Sequence, residues 1–423
     1  MTGTTAAART RSPLLRRDFA LIWSAGLVSD TGDWLLMIAL PLFAFSVTGS
    51  ALGASTVFLA ELIPMLLAGS FLGVLVDRWD HRRTMVVTAL LQGVALLPLL
   101  AASADRMGIV YAVAAVQACL GGVINPARQA LVPSLVETRD LGRANALIAV
   151  SDNLARLIGS PLGGLAFATL GLPGVVVVDA ATFLVTALLV ALSRPQRPAA
   201  TAARDDLPAA ERRLFRQWLE GLGEIVRSRT LRTIAVVTAL GSVAQGLFLV
   251  LFIVYVTQEL GAGDPEVGLL RGVQAIGGVL GGLLTGVLLR RLSSRVLVGV
   301  GYLVFGALSL LTWNLAPVTT AVWVYAALFV AMGVPAVATA TGEITLVQTV
   351  TTGGRLGRVI AAMTTLAGAA QGIGLLAGGV LAELFEVVPV LDAQASLYLL
   401  CGLIAIVFLG SRTVAPRPGG RDT

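Results

Sequence analysis

Long apolar segments constrain this chain more than any other feature of its sequence. A helix needs about 20 apolar residues to cross the roughly 30 Å hydrocarbon core of a bilayer, and it must satisfy its backbone hydrogen bonds internally. Only 13% of the 423 residues are charged, about half the share that is usual in a soluble domain. The sequence therefore predicts an all-α membrane protein with twelve transmembrane helices, at 19–47, 51–76, 84–103, 109–131, 143–170, 174–192, 231–257, 266–289, 296–315, 318–341, 359–384 and 391–410.

Arginine placement predicts the orientation of the chain. All 30 basic residues are arginine, and 26 of them fall in the terminal segments and in the loops that share one side with the N-terminus. Positive residues accumulate on the cytoplasmic side of membrane proteins. We therefore expect a multi-pass protein of the cell (plasma or inner) membrane with both termini in the cytoplasm. We expect these arginines to face the lipid bilayer surface, not nucleic acid.

The residue types that are scarce exclude several classes of function. Because the sequence contains no lysine, it has neither a Walker-type phosphate loop nor a Schiff-base lysine. Cys119 and Cys401 lie in separate apolar runs, and His81 is the single histidine. The sequence therefore predicts no metal site, no cofactor and no enzyme activity.

The sequence repeats itself after about half its length. Leu141-Gly142-Arg143 recurs 215 residues later as Leu356-Gly357-Arg358. Two halves with the same orientation predict a pseudo-twofold axis along the membrane normal, as in one class of transporters. We place the N-terminal six-helix half at 1–192, a cytoplasmic central loop at 193–230 and the C-terminal six-helix half at 231–423. The second part of the loop, "AAERRLFRQWLEGLGEIVRSR", is amphipathic and predicts a helix on the membrane face.

The loop between the second and third spans carries a recognisable signature. The stretch "GVLVDRWDHRR" at 73–83 resembles the G-x-L-x-D-R-x-x-R-R motif of the major facilitator superfamily, and the span count and long central loop agree with that family. The resemblance implies a latch that closes the cytoplasmic side, although a basic loop without a gating role would have the same residues. The latch would comprise Gly73, Asp77, Arg78, Arg82 and Arg83, with Arg128 as the ion partner of Asp77 and Glu343 as a gate residue near Arg355 or Arg358.

Two further stretches resemble the drug-efflux and siderophore-export branch of that superfamily, which includes macrolide and enterobactin exporters. They are "NPARQALVPSLV" at 125–136 and "NLARLIGSPLGG" at 153–164, and the second approximates an antiporter motif of the fifth span with Ser160 displacing the proline. Small residues let helices approach closely, so ordinary tight packing is the alternative explanation. The packing residues are Gly159, Pro161, Gly163 and Gly164.

Two carboxylates interrupt the first apolar run. Asp30 and Asp33 are three residues apart and therefore share one helix face. A charge at the bilayer centre costs several kcal/mol by most estimates, and the corresponding stretch of the seventh span has no acid. A carboxyl group kept out of water binds a proton more readily than an exposed one. We therefore predict proton-coupling sites, with purely structural carboxylates as the alternative.

Other polar residues within spans extend the candidate site. Arg156 pairs either with Asp152, one turn earlier on the same helix, or with Asp33 across the cavity. Glu61 is a third acid near the middle of a span and a candidate proton or substrate site. Asp179 and Arg271 fall near the outer ends of their spans and are predicted to be interfacial. The predicted substrate cavity contains Trp34, Glu61, Asn125, Asn153 and Gln245.

These features predict a proton-coupled exporter that moves small, lipophilic or cationic compounds by alternating access. A proton-coupled importer, a siderophore or metabolite exporter and a lipid flippase on the same fold are the alternatives, and a sensor without transport activity is a more distant one. The predicted partners are a small-molecule substrate, protons and the bilayer, and the predicted state is a monomer.

Overall fold

The computed structural model describes residues 16–76, 79–194, 207–288, 292–351 and 353–409, and within them the chain is all helical. The all-α prediction is confirmed. The α-helices of this described part are α1 (Arg17–Thr48), α2 (Ala51–Val76), α3 (His81–Leu96), α4 (Met107–Leu131), α5 (Leu141–Leu192), α6 (Leu207–Arg227), α7 (Arg229–Val254), α8 (Asp264–Leu288), α9 (Ser294–Trp313), α10 (Val322–Val350), α11 (Leu356–Leu384) and α12 (Val387–Leu409).

The longest helix, α5, contains two arms that run in opposite directions. They meet at Gly171, whose φ of 64° is disfavoured for a residue with a side chain. Along the first arm, successive contacts with α1 move to higher residue numbers, and along the second arm they move to lower ones. The contacts pair Gly159 with Thr31, Gly163 with Leu35, Asp179 with Gly32 and Thr186 with Ala25.

Ten helical segments of the described chain are long and apolar enough to cross a membrane. One of them, Thr138–Leu192, includes both arms of α5 and is counted once, and the described apolar part of α2, Ala51–Leu67, is shorter than the others. Counting α2 and both arms would give the twelve crossings that the sequence predicts. The chain is therefore a multi-pass membrane protein by length and composition.

Among the described residues, a shared buried cluster joins the two groups of helices at one end of the bundle, and no shared cluster joins them at the other. We call the end where α1 begins the arginine-rich end and the end where α1 finishes the arginine-poor end. At the arginine-poor end, Ile38 and Phe58 of the N-terminal helices (α1–α5) share one buried cluster with Phe252 and Val267 of the C-terminal helices (α7–α12). At the arginine-rich end, each group has a buried cluster of its own. With the arginine-rich end in the cytoplasm, this conformation faces inward.

Glycines let α5 and α8 meet main chain to main chain towards the arginine-poor end. A Cβ atom at Gly164 would overlap the carbonyl oxygen of Asp264, and one at Gly268 would overlap that of Ser160. The predicted packing residues of α5 therefore contact two different helices, α1 and α8. Gly159 and Gly163 contact α1, whereas Pro161 and Gly164 contact α8. We call this α5–α8 contact the glycine seam.

The amphipathic helix α6 docks on the C-terminal helices at the arginine-rich end. Arg358 and Arg355 at the start of α11 pair with Glu220 at 2.5 Å and with Glu224 at 3.1 Å. Gly221 lies against the backbone carbonyl of Arg358, and Ile225 is buried in the cluster of the C-terminal helices. This described part of the central loop therefore belongs structurally to the C-terminal group.

The glycine seam makes a testable prediction about stability. In Gly164→Ala, the added methyl meets backbone that cannot rotate away, so overpacking of about 1–3 kcal/mol outweighs the roughly 1 kcal/mol that alanine contributes to helix propensity. We expect a lower thermal unfolding temperature in detergent. Gly282→Ala on α8 is the matched control, because a Cβ atom there meets nothing within 4 Å. Equal unfolding temperatures for the two variants would contradict a close main-chain contact.

Candidate functional site

A central cavity of about 320 Å³ lies between the two groups of helices. Its volume is at the lower end of the range for small-molecule sites. Three residues predicted for the substrate cavity, Trp34, Asn153 and Gln245, line it. The C-terminal helices supply most of the remaining wall, which is aromatic and apolar with a few amide and hydroxyl groups: Phe248, Phe305, Ser309, Trp313, Met332, Gln394 and Tyr398.

Two arginines from opposite groups of helices reach this cavity. Arg156 comes from α5 and Arg271 from α8, and the side-chain oxygen of Gln274 accepts a hydrogen bond from each of them. The Arg156 guanidinium lies 5.0 Å from the centre of the Trp34 ring, and the Arg271 guanidinium lies 5.0 Å from that of Phe248. The cavity lining therefore combines cationic groups with aromatic faces.

A second cavity of about 400 Å³ lies within the N-terminal helices and contains the acidic residues. Arg128 of α4 forms an ion pair with Asp30 at 2.7 Å and lies 3.8 Å from Asp152. Asp33 and Asn125 line the same cavity, and Trp34 lines both this cavity and the central one, so the two adjoin at its side chain. The predicted proton-coupling residues thus gather around Arg128, with the exceptions of Glu61 and Arg156.

The structure gives Arg156 a partner that the sequence did not predict. Neither proposed partner of Arg156 is its partner here, because Arg156 extends towards α8 and bonds to Gln274, while Asp152 faces Arg128. The predicted partner of Arg128, Asp77, lies outside the described residues, so that pair stays a prediction. Among the described residues, Arg128 binds Asp30.

Glu343 also departs from its predicted contact. It accepts hydrogen bonds from the hydroxyls of Tyr302 at 2.7 Å and Thr238 at 2.9 Å. Arg355 and Arg358, the predicted partners, lie with the carboxylates of α6. Glu343 is therefore a carboxylate held by hydroxyl groups inside the C-terminal helices, and the structure does not place it at an arginine gate.

Asp179 and Arg271 are buried, which corrects the prediction that they are interfacial. Asp179 is fully buried beside Gly32, and its one hydrogen bond from a side chain comes from Thr182 at 3.1 Å. Arg271 is 6% exposed. Counting along an apolar run gives the depth of a residue only roughly, so these two positions and Gln274 were missed as site residues. Glu61, on α2, is partly exposed and contributes to neither of the two cavities described above.

The signature loop is anchored within the N-terminal helices. Arg82 donates hydrogen bonds to the carbonyls of Val190, at 3.2 Å, and Ala191, near the end of α5. This contact places a cation where a helix leaves its last carbonyls unpaired. The carboxylate of Asp80 caps α3 by accepting a hydrogen bond from the backbone N–H of Arg83 at 2.8 Å. Gly73 belongs to α2, and Asp77 and Arg78 lie outside the described residues.

Comparison with known proteins settles the family. A family model described as Major Facilitator Superfamily matches residues 22–255 and again residues 234–422. The chain belongs to the major facilitator superfamily. The resemblance of its signature loop is therefore confirmed, and the chain is a transporter of small-molecule substrates, not an enzyme.

Relatives of this superfamily member match it almost from end to end. The multidrug efflux pump Tap of Mycolicibacterium fortuitum is 30% identical over 409 residues, which cover 94% of this chain and 95% of that protein. The uncharacterised MFS-type transporter YfiS of Bacillus subtilis is 25% identical and covers 93% of this chain and 94% of its own. These similarities support the drug-efflux and siderophore branch.

Solved structures support the fold. A bacterial homologue of the iron transporter ferroportin, in an inward-facing state, aligns with a TM-score of 0.74 at 18% identity and covers 94% of this chain and 100% of its own. The nucleoside transporter NupG aligns with a TM-score of 0.76 at 11% identity, covering 93% and 99%. At these identities the likeness concerns the fold alone.

The Asp30–Arg128 pair makes a prediction about coupling between two residues. Arg128→Gln removes a charged partner and leaves a mostly buried carboxylate, so we expect a loss of about 1.5–3 kcal/mol in stability. Asp30→Asn combined with Arg128→Gln removes both charges of the pair, leaves only the half-exposed Asp152 without its arginine, and recovers part of that loss. Thermal unfolding of the purified single and double variants measures the coupling, with the exposed Arg106→Gln as control. If the loss of stability in the double variant equals the sum of the losses in the two single variants, the pair is not coupled.

Proposed function

We propose that this superfamily member is a proton-coupled secondary active exporter of small molecules that works by alternating access. The observation that carries the proposal is the presence of two adjoining cavities inside the bundle: one large enough for a small molecule, and one that gathers the carboxylates of α1 and α5. Similarity to a multidrug efflux pump supports export as the direction. An exporter of this kind takes its cargo from the cytoplasm or the inner leaflet.

The proposed movement is a rocking of the N-terminal half, 1–192, against the C-terminal half, 231–423, with twelve crossings and both termini in the cytoplasm of a monomer. The apolar cluster and the glycine seam support it because they join the halves towards the arginine-poor end. The outward-facing state would form when the halves separate at the arginine-poor end and meet at the arginine-rich end. The docking of α6 on α11 suggests that the central loop moves with the C-terminal half.

The proposed proton sites are Asp33 and Asp30, with Asp179 and Glu61 as further acids of the N-terminal half. Asp30 binds Arg128 in the present conformation. Protonation of Asp30 removes the charge that holds Arg128, and the arginine then turns to Asp152, which lies 3.8 Å away and is half exposed. One proton that crosses a potential of 100 mV supplies about 2.3 kcal/mol. Protonation drives transport because it changes the relative stability of the two conformations.

The proposed latch at the arginine-rich end comprises the signature loop. In the present conformation Arg82 secures the loop to the end of α5. A latch formed by Gly73, Asp77, Arg78, Arg82 and Arg83 would close this end when the halves meet there. Glu343 would then contribute through its hydroxyl partners and not through an arginine.

The proposed coupling is tested by proton release that depends on added compounds. Inside-out vesicles are acidified inside, a panel of small drugs and organic acids is added one compound at a time, and a pH-sensitive dye reports proton efflux. We expect a response to at least one compound in vesicles with the wild-type protein, and at least a tenfold smaller response with Asp33→Asn. Asp105→Asn is the matched control, because Asp105 is exposed at the arginine-poor end. Full proton release by Asp33→Asn would refute the assignment of Asp33.

A further inference from the structure

The central cavity contains two positive charges that the protein does not neutralise. Arg271 is 6% exposed, and one nitrogen of Arg156, Nε, is buried without a hydrogen-bond partner. Among the described residues, neither arginine forms an ion pair with a carboxylate. Their shared acceptor is the oxygen of Gln274, a neutral amide. A guanidinium group stays protonated in proteins, so these charges persist.

The carboxylates of the N-terminal helices do not supply the missing counter-charge. Asp30 and Asp152 face Arg128 in the second cavity, whereas Arg156 lies over the ring of Trp34 and bonds to Gln274. Placement over an aromatic ring contributes about 0.5–2 kcal/mol, whereas burial of an ion costs several kcal/mol in real proteins. The aromatic contacts and one shared amide therefore leave both arginines short of compensation.

We propose that the central cavity binds an organic anion, with a carboxylate or similar acidic group held between Arg156 and Arg271. The anion site is argued from the cavity itself. Only the statement that the anion is the transported cargo rests on the proposed function. Guanidinium groups match carboxylates in geometry and in charge. Phe305, Trp313 and Met332 give the body of the cargo an apolar and aromatic surface. The cationic cargo predicted from the sequence does not fit a lining that contains two arginines.

The anion would also connect the two halves of the protein. Arg156 belongs to α5 in the N-terminal group and Arg271 to α8 in the C-terminal group. Without an anion, the two like charges repel each other and only Gln274 lies between them. With an anion, both arginines are attracted to the same group. The bound cargo therefore favours conformations in which α5 and α8 stay close at the level of the cavity.

The test compares three aromatic probes that differ in one substituent. They are anthracene-9-carboxylate, anthracene-9-carboxamide and 9-(aminomethyl)anthracene, which are anionic, neutral and cationic at pH 7. Binding to the full-length protein in lipid nanodiscs is followed by energy transfer from tryptophan, since Trp34 and Trp313 line the cavity. We expect saturable binding of the carboxylate at least tenfold tighter than that of the amide, and the weakest binding for the ammonium probe.

Variants then assign the selectivity to the two arginines. Arg156→Gln and Arg271→Gln each weaken carboxylate binding by roughly 10–100-fold and change amide binding less than threefold, because only the charged hydrogen bond is lost. Arg106→Gln, an exposed arginine away from the cavity, changes neither. A variant that still binds the amide probe is folded. The order of affinities of the three probes for the wild-type protein tests the proposal without any variant.

Several results would overturn the proposal. These are no saturable binding of the carboxylate to the wild-type protein, equal binding of carboxylate and amide, tightest binding of the ammonium probe, or unchanged selectivity in both arginine variants. The proposed proton coupling fails separately. Anion-selective binding with normal proton release in Asp33→Asn would refute the coupling alone, whereas normal coupling without anion selectivity would refute the cargo class alone.

Discussion

A charge inside this bundle has to find its compensation within the bundle, because the surrounding lipid offers none. The described residues meet this constraint unevenly. Arg128 has Asp30 and Asp152 as partners, and Glu343 has the hydroxyls of Tyr302 and Thr238. Arg156 and Arg271 share a neutral amide. These two poorly compensated arginines line the central cavity, where a ligand can stabilise them.

The two cavities differ in the charged residues that line them: the carboxylates gather in one, and Arg156 and Arg271 line the other. The acidic one lies within α1, α4 and α5, so a proton that binds there acts inside one half of the protein. The cationic one lies between the halves, so a ligand that binds there acts on the contact between them. Trp34 lines both and carries the guanidinium of Arg156 on its ring. Under the proposed coupling, a change in the position of α1 on protonation would reach the cargo site through this side chain.

The sequence predicted the parts of the site that depend on one helix at a time. Asp30 and Asp33 were recognisable because they interrupt an apolar run, and Gly164 because its stretch resembles an antiporter motif of small residues that let helices approach closely. Asp179 was missed because its depth depends on where the chain turns, and the turn at Gly171 places it beside Gly32. The partners of Arg156 and Arg128 were missed for a different reason. They come from other helices, and helix direction and rotation are set by tertiary packing.

The same pair of helices carries the glycine seam and the two arginines. Gly164 lies eight residues beyond Arg156 on α5, about 12 Å along the helix, and Gly268 lies one turn before Arg271 on α8. If the seam opens in the outward-facing state, α5 and α8 separate near the arginines, and an anion between them loses one of its two contacts. A ligand shifts a conformational equilibrium only by its difference in affinity for the two states. An anionic cargo would therefore bind more tightly in the present conformation and leave from the arginine-poor end, which is the direction of export.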